Sequence, residues 1–237
     1  MRKLSALYEI LVYIEDRGSA QALEIQKWGS AVSRGVLGKM EAMGLLKRSK
    51  STTGTQEYRL STQGYKFLNS VLDVLHKGVV HWDGKWRFVW FSISEKDRPK
   101  RDKFRRFLES SGFRPILNSV WVTPLDESEK ILSYARSIGV EKNIIHLVAS
   151  SIAGLNQQDI LNAWDFETYK KEYEEFIAQS NEVLTSKQIE RFDLKKLIFQ
   201  YAILLNNEPK LPIELMPNDW PSLRAQMQYK KIRRLIS

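Results

Sequence analysis

The sequence predicts an α+β protein in three parts: a winged helix-turn-helix over residues 1–78, a ferredoxin-like βαββαβ module over residues 79–152, and a helical domain over residues 153–237. Three observations predict this organisation. The 237-residue chain exceeds one average domain. Its start shows helical hydrophobic spacing followed by two short strand-like runs. An aromatic strand-like run near the middle begins an alternation of strands and helices, and long amphipathic segments close the chain.

Composition excludes several classes of protein. The chain has no cysteine, which excludes a disulfide scaffold, a thiolate zinc site and a cysteine nucleophile. The first thirty residues do not resemble a signal peptide, and no apolar run approaches eighteen residues, so we expect a cytoplasmic protein without a membrane span. The net charge is +9, and residues 1–150 carry all of it. This distribution favours a polyanionic partner for the N-terminal part.

Three helices are predicted at the start of the chain. The first ends before Gly18. A short second helix covers residues 22–28, with Ser19 as its predicted N-cap, and a third covers residues 33–43 and ends at Gly44. Helical spacing assigns four apolar residues to the buried side of the third helix: Val32, Val36, Met40 and Met43.

A hairpin follows these helices. Residues 45–51 and 55–61 are strand-like runs separated by Thr53-Gly54, and Ser61 or Thr62 begins a further helix. Three helices and a hairpin in this order are the parts of a winged helix-turn-helix, in which a helix enters the major groove of DNA and the hairpin lies along phosphates.

Small and basic residues mark the candidate DNA contacts. Gly35 and Gly38 permit close approach of the helix backbone, while basic side chains on the helix and hairpin can reach base edges or phosphates. The candidate DNA-binding residues are Ser33, Arg34, Lys39, Lys47, Arg48, Lys50 and Arg59. Three hydroxyl residues of the turn could also bond phosphates: Ser51, Thr52 and Thr53. The alternative is a winged helix that contacts another protein.

The middle of the chain alternates strands and helices. An aromatic strand over residues 85–93, buried on both faces, precedes a basic helix that starts near Ser94 and ends at Ser110. A strand pair turning at Asn118-Ser119, a helix that Asp126 begins, and the strand NIIHLVAS complete the order β-α-β-β-α-β, the ferredoxin-like pattern.

No catalytic motif accompanies this module. Two of the three carboxylates Asp83, Glu95 and Asp97 could hold a divalent cation, but their spacing matches no tight metal motif. The three histidines lie far apart in sequence, and the chain has no Gly-rich phosphate loop and no nucleophile elbow. We therefore predict no enzyme, no metal site and no cofactor.

The last part of the chain is predicted to be helical. One helix covers residues 160–177 and a second covers residues 187–207. A proline-rich segment with interleaved apolar residues follows, and a basic helix over residues 222–236 ends the chain.

Three stretches of this sequence resemble one family. WDGKWRFVWFSISEKDRPKRDKFRRFLESSGFRPILNSVWVTP resembles the central signature of the PaaX-type transcriptional regulators, the phenylacetate-degradation repressors. AWDFETY and LPIELMPNDWP look like the C-terminal landmarks of that family. The resemblance implies a homodimeric regulator that binds double-stranded operator DNA, a repressor released by a small effector. Members of the family respond to an aryl-CoA thioester, usually phenylacetyl-CoA, so the expected partner of this chain is an acyl-CoA-type effector.

The resemblance also implies a central module similar to the small nuclease of CRISPR adaptation. That nuclease has an aspartate near the end of its first strand, where this chain has Ser92. A neutral hydroxyl is a poor magnesium ligand, so metal-dependent cleavage is not expected. Two alternatives to a DNA-binding regulator remain: a metal-dependent nuclease acting through the central module, and a non-catalytic protein that binds a ligand or partner through its C-terminal helices.

Overall fold

The computed structural model describes residues 5–50 and 54–236 and shows an α+β protein. The chain forms two compact units, each built from separate stretches. Unit 1 comprises residues 1–77, 168–208 and 221–237 as far as they are described, and unit 2 comprises residues 78–167 and 209–220. Both units therefore draw on the C-terminal part of the chain. The predicted division into three consecutive domains stays a prediction.

Unit 1 begins with four helices and a small sheet. Its helices in the first part of the chain are α1 Ala6–Arg17, α2 Ala22–Ile25, α3 Ser30–Ala42 and α4 Thr62–Leu72. Its strands are β1 Ala20–Gln21, β2 Leu46–Lys50 and β3 Gln56–Leu60. β3 lies between the other two strands, antiparallel to both.

Individual residues cap the ends of the N-terminal helices. Gly18 ends α1 in the left-handed conformation, with φ of 76°, which glycine adopts without steric cost. Gln21 caps α2 in a reciprocal arrangement with Glu24. The prediction of Ser19 as this cap is wrong, because the Ser19 hydroxyl instead donates a 2.7 Å hydrogen bond to Glu57 of β3. Ser61 is the N-cap of α4, as predicted, and accepts a hydrogen bond from the Gly64 N–H.

The later helices of unit 1 pack with the early ones. They are α8 Phe166–Thr185, from residue 168 onward, α9 Arg191–Asn207 and α10 Ser222–Ile236. Phe199 and Ala202 of α9 belong to the same buried core as Ile10, Leu11 and Ile14 of α1. Helix α9 is thus a structural part of the unit that holds the first four helices.

Polar contacts join α9 to α1 as well. The Lys195 ammonium lies 2.6 Å from Glu15 and 3.1 Å from Asp16. Lys27 lies in the 3₁₀ turn before α3, with its ammonium 3.6 Å from the centre of the Tyr13 ring and 5.2 Å from that of Phe192 in α9. Burial lowers the pKa of Lys27. A change in the position of α9 would therefore be felt by the turn that leads into α3.

Unit 2 contains a four-stranded sheet and two long helices. In chain order its elements are β4 Trp86–Phe91, α5 Arg98–Ser110, β5 Arg114–Leu117, β6 Val120–Thr123, α6 Ser128–Ser137, β7 Ile144–Ala149 and α7 Gln157–Leu161. The sheet order is β5-β6-β4-β7, and all neighbouring strands are antiparallel. The element order from β4 to β7 is the predicted β-α-β-β-α-β.

Both faces of β4 are covered for most of its length. Val89 and Phe91 pack against α5 and α6, while Trp86 and Phe88 pack against α7 and Trp164. Within β4 the prediction of a strand buried on both faces fails only at Trp90, which is 50% exposed. The predicted strand was also longer than β4, and its residues Lys85 and Ser92 are exposed.

Three predicted helix boundaries in the rest of the chain differ from the structure. A 3₁₀ turn precedes α5, so that Asp97 rather than Ser94 is its N-cap. Glu127 rather than Asp126 is the N-cap of α6, and the Asp126 carboxylate, one residue earlier, accepts hydrogen bonds from the N–H and the hydroxyl of Ser128. The helix predicted over residues 160–177 is two helices, α7 and α8, with a break between them.

Candidate nucleic-acid interface

One side of helix α3 packs against the core of unit 1. Leu37 and Met40 are buried in the core, and Ser33 is 2% exposed. The Ser33 hydroxyl donates a 2.8 Å hydrogen bond to the carbonyl of Ile25 at the end of α2. Ser33 was predicted to contact DNA, but its burial and this bond give it a structural role, fixing α3 to α2. Ser33 is therefore not a candidate DNA contact.

The opposite side of α3 is open. Gly35 and Gly38 are exposed, and a Cβ atom added at either position would meet nothing within 4 Å. Arg34 and Lys39 are also exposed and, at 100° per residue, lie to either side of the two glycines. The structure therefore brings a smooth backbone surface and two flanking cations onto one face of a 13-residue helix.

The prediction of which residues form the buried side of α3 is partly wrong. Val32 is 50% exposed and Met43 is 39% exposed, whereas Leu37 is buried. The buried stripe follows Ser33, Leu37 and Met40, at spacings of four and three residues. Sequence reasoning misassigned Val32 because it treated Ser33 as polar surface. Val32 thus joins the exposed face as a methyl-bearing side chain suited to apolar contact with thymine.

The hairpin places its basic residues on both faces. Lys47 lies directly opposite Arg59 in the antiparallel pair of β2 and β3, and Arg48 lies opposite Tyr58. All four residues of β2 after Leu46 are exposed. Alternation along the strand puts Lys47 and Arg59 on one face and Arg48 and Lys50 on the other, the face that Tyr58 buries.

Two of these cations have acidic neighbours in the chain. Arg48 lies 3.4 Å from Glu41 of α3, and Arg59 lies 3.2 Å from Glu57. Both guanidinium side chains remain more than half exposed, so the pairs orient them without removing them from solvent. The predicted phosphate contacts of the turn lie outside the described residues: Ser51, Thr52 and Thr53.

The carboxylates considered for a metal site each lie beside a cation. Asp83 binds Arg87 through both of its oxygens. Glu95 lies 2.8 Å from Arg101, and Asp97 lies 3.5 Å from Lys100. Within residues 5–50 and 54–236, no group of three or more metal-ligating side chains is assembled. The nuclease alternative therefore gains no support from the positions of these residues.

Arg87 is the centre of a buried polar network in unit 2. Its side chain is 4% exposed. Its guanidinium donates to both oxygens of Asp83, to the carbonyl of Lys85 at 2.9 Å and to the carbonyl of Pro124 at 3.1 Å. A carboxylate oxygen of Asp126 lies 3.4 Å away. These bonds tie the turn before β4 to the segment after β6.

The Arg87 network predicts how the stability of the folded protein changes at low pH. Hydrogen bonds from Arg87 lower the pKa of the Asp83 carboxyl to about 2. Because the folded-state pKa lies below the ordinary value of about 3.9, this carboxylate stabilises the native state above pH 4. The stabilisation is lost as pH falls through about 2. We expect Asp83→Asn to lower the free energy of unfolding at pH 6 and to differ little from the wild type near pH 2, measured by urea titration. An equal effect at both pH values would contradict this assignment.

Comparison with known proteins places the chain in a family. The family described as PaaX protein central Cas2-like domain matches residues 79–161, and that described as PaaX-like protein C-terminal domain matches residues 164–237. The chain belongs to the PaaX family. The predicted family resemblance is confirmed, and membership supports a regulator rather than an enzyme.

A solved structure shares the fold of this PaaX-family chain. The uncharacterized protein Rv0674 from Mycobacterium tuberculosis superposes with a TM-score of 0.57 at 18% identity, covering 98% of this chain and 94% of that one. At this identity the likeness concerns the fold alone. No curated protein matches the chain. In the part of the chain that the structure describes, no helix is both long and apolar enough to cross a membrane.

Proposed function

We propose that this PaaX-family protein is a sequence-specific DNA-binding transcriptional regulator of the cytoplasm and not an enzyme. The observation that carries the proposal is the exposed face of α3, with Gly35 and Gly38 between Arg34 and Lys39. An α-helix fits the major groove, and its backbone approaches the bases most closely where side chains are absent. The flanking cations are long enough to reach base edges or phosphates.

The surroundings of α3 support a winged helix-turn-helix. Helix α2, the 3₁₀ turn and α3 follow one another directly, and the β2–β3 hairpin comes next in the chain. Lys47, Lys50 and the guanidinium groups of Arg48 and Arg59 then supply cations for phosphates beside the groove. A winged helix that contacts protein would not need two glycines flanked by cations on its outer face.

Selection from random duplexes tests this proposal. We expect gel-shift selection with the wild type to enrich one sequence motif, whose affinity falls steeply with salt because bound phosphates release counterions. Replacing Lys50 with alanine should weaken binding to all sequences similarly, and should lower the slope of log K against log salt by about 1. Enrichment of no motif would contradict sequence-specific binding.

We further propose that the protein acts as a homodimer through unit 2, whose strand order is that of a ferredoxin-like module. One α3 per chain suits a twofold dimer on a near-palindromic site. Strand β7 is a sheet edge, and on one sheet face Trp90, Ile145 and Leu147 are 50%, 49% and 53% exposed. Trp90 pairs directly with Ile145 across the strands. An apolar edge strand of this kind invites association unless it is covered, and a second copy would cover it symmetrically.

The dimer is testable by charge insertion. We expect the wild type to have twice the mass of the chain in light scattering, and Ile145→Lys with Leu147→Lys to give a monomer, since burying two ammonium groups is costly. Leu132→Lys, at an apolar residue of α6 that is 36% exposed, should stay dimeric. A dimeric double variant would place the interface elsewhere.

Family membership supports repression relieved by a small acyl-CoA effector. The packing of α9 with the turn before α3 offers a physical connection between the C-terminal helices and the DNA-binding helix. An effector that binds the native state raises the melting temperature by mass action. A thermal-shift panel of acyl-CoA thioesters should therefore find one that stabilises the protein and releases the selected duplex. A stabilising thioester that leaves DNA affinity unchanged would contradict release.

A further inference from the structure

Helix α5 carries a concentration of positive charge that the proposed α3 site does not use. Residues 95–114 contain 8 basic and 4 acidic residues, which accounts for the whole net charge of residues 81–150. Phe104 and Leu108 hold the opposite side of α5 in the core of unit 2. The cations thus lie on the outer face of a well-anchored helix.

The cations of α5 differ in their partners. Those of its first turn are paired: Arg98 lies 3.7 Å from Glu95 and 3.9 Å from Asp102, and Arg101 lies 2.8 Å from Glu95. Further along the helix, Lys103 and Arg106 are exposed, and no ion pair joins either to a carboxylate within the described residues. They are one helical turn apart and project from the same side.

Two further cations lie near this helix. The Arg105 guanidinium lies 5.8 Å from the centre of the ring of the buried Trp121, which fixes its direction. Arg114 of β5 donates a hydrogen bond to the carbonyl of Phe113 at 2.8 Å. At 100° per residue Arg105 projects about 160° away from Lys103, and Asp102 and Glu109 lie between Arg105 and Arg106 on the outer face. The α5 surface is therefore defined as Lys103 and Arg106.

The helix dipole does not account for the cations of α5. The first turn of the helix contains three cations and no acidic residue, although the positive end of the helix dipole favours carboxylates there. Its last turn has no basic residue, although cations are favourable at that end. Asp97 at the N-cap and the ion pairs of Arg98 and Arg101 offset these first-turn cations, whereas the dipole gives no reason for Lys103 and Arg106.

We propose that the α5 surface binds phosphates of duplex DNA outside the operator, without sequence preference. The inference rests on the proposed function, because it assumes that the same protein is held on DNA by α3. Exposed unpaired cations one turn apart on a rigid helix suit the regularly spaced phosphates of a duplex backbone. Such contacts add affinity and salt dependence while carrying no sequence information.

The test compares two duplexes of different length. One is the selected operator alone, and the other is the same operator with about 15 base pairs of random sequence on each side. Each neutralised phosphate steepens the slope of log K against log salt by about 0.9. We expect the wild type to bind the long duplex with the steeper slope. Lys103→Gln with Arg106→Gln should lower that slope by about 2 and leave binding to the short duplex unchanged.

A charge-matched control keeps the comparison specific. Lys171→Gln with Lys187→Gln removes two exposed cations from the part of the chain whose charges balance, and should leave both slopes unchanged. The inference is overturned if the α5 variant keeps the wild-type slope on the long duplex, or if it loses affinity equally for both lengths. Failure of the wild type to prefer any sequence would instead overturn the proposed function.

Discussion

Replacement of Gly38 with glutamate is expected to weaken DNA binding at least about 100-fold while leaving the fold intact. A Cβ atom added at Gly38 meets nothing within 4 Å, the position is exposed, and Gly38 has no positive φ, so the backbone accepts a side chain that extends into solvent. In the proposed complex, however, the carboxylate would face the base edges and phosphates of the major groove. Like charges brought together at an interface cost several kcal/mol, and each 1.4 kcal/mol is a factor of ten in affinity.

Gly38→Ala is the matched control. A methyl group is accommodated at the same position, and alanine in place of a helical glycine should stabilise the protein by about 0.5–1 kcal/mol. We expect Gly38→Ala to retain binding within a few fold, and both variants to unfold at or above the wild-type temperature. If Gly38→Glu bound the selected duplex as tightly as the wild type, the outer face of α3 could not be in contact with DNA.

Replacement of Arg87 with alanine is expected to destabilise unit 2 by about 3 kcal/mol. The change removes hydrogen bonds to Asp83 and to the carbonyls of Lys85 and Pro124, and leaves those groups unpaired. Asp83 is 47% exposed and can be rehydrated, which keeps the effect at the lower end of the range for buried ion pairs. Urea unfolding followed by tryptophan fluorescence measures it, since Trp82 and Trp86 lie beside this turn.

Arg98→Ala provides the comparison for this prediction. Arg98 makes two ion pairs, but its side chain is 67% exposed, so its loss should change stability by no more than about 0.5 kcal/mol. A similar small change for Arg87→Ala would mean that the network does not stabilise unit 2. DNA binding should survive Arg87→Ala at 10 °C, where unit 2 is expected to stay folded, because Arg87 belongs neither to α3 nor to the β7 edge of the proposed dimer.

The sequence predicted most elements of the fold because their signals are local. The aromatic run of β4, the glycines after α1 and α6, and the spacing of apolar residues in α5 each depend on a few neighbouring residues. The family landmarks of the central region were equally local. Such features can be predicted from the sequence because they do not depend on contacts with distant parts of the chain.

Features that depend on distant contacts were missed. Ser33 has a polar side chain, and only the nearby carbonyl of Ile25, eight residues earlier, makes its burial favourable. Val32 was then placed on the wrong side of α3. Nothing in the sequence indicated that α9 packs with α1, since the ion pair between Lys195 and Glu15 joins residues 180 positions apart.

Selection from random duplexes, run in parallel with the wild type and Arg34→Ala, tests the central claim most directly. If Arg34 contacts a base, most simply the acceptor edge of a guanine, then the variant should lose its preference at one position of the motif and at its symmetry mate. The cost at that base should be about 1–3 kcal/mol, while preferences elsewhere remain. Identical motifs with identical preferences for the two proteins would contradict base recognition by Arg34 of α3.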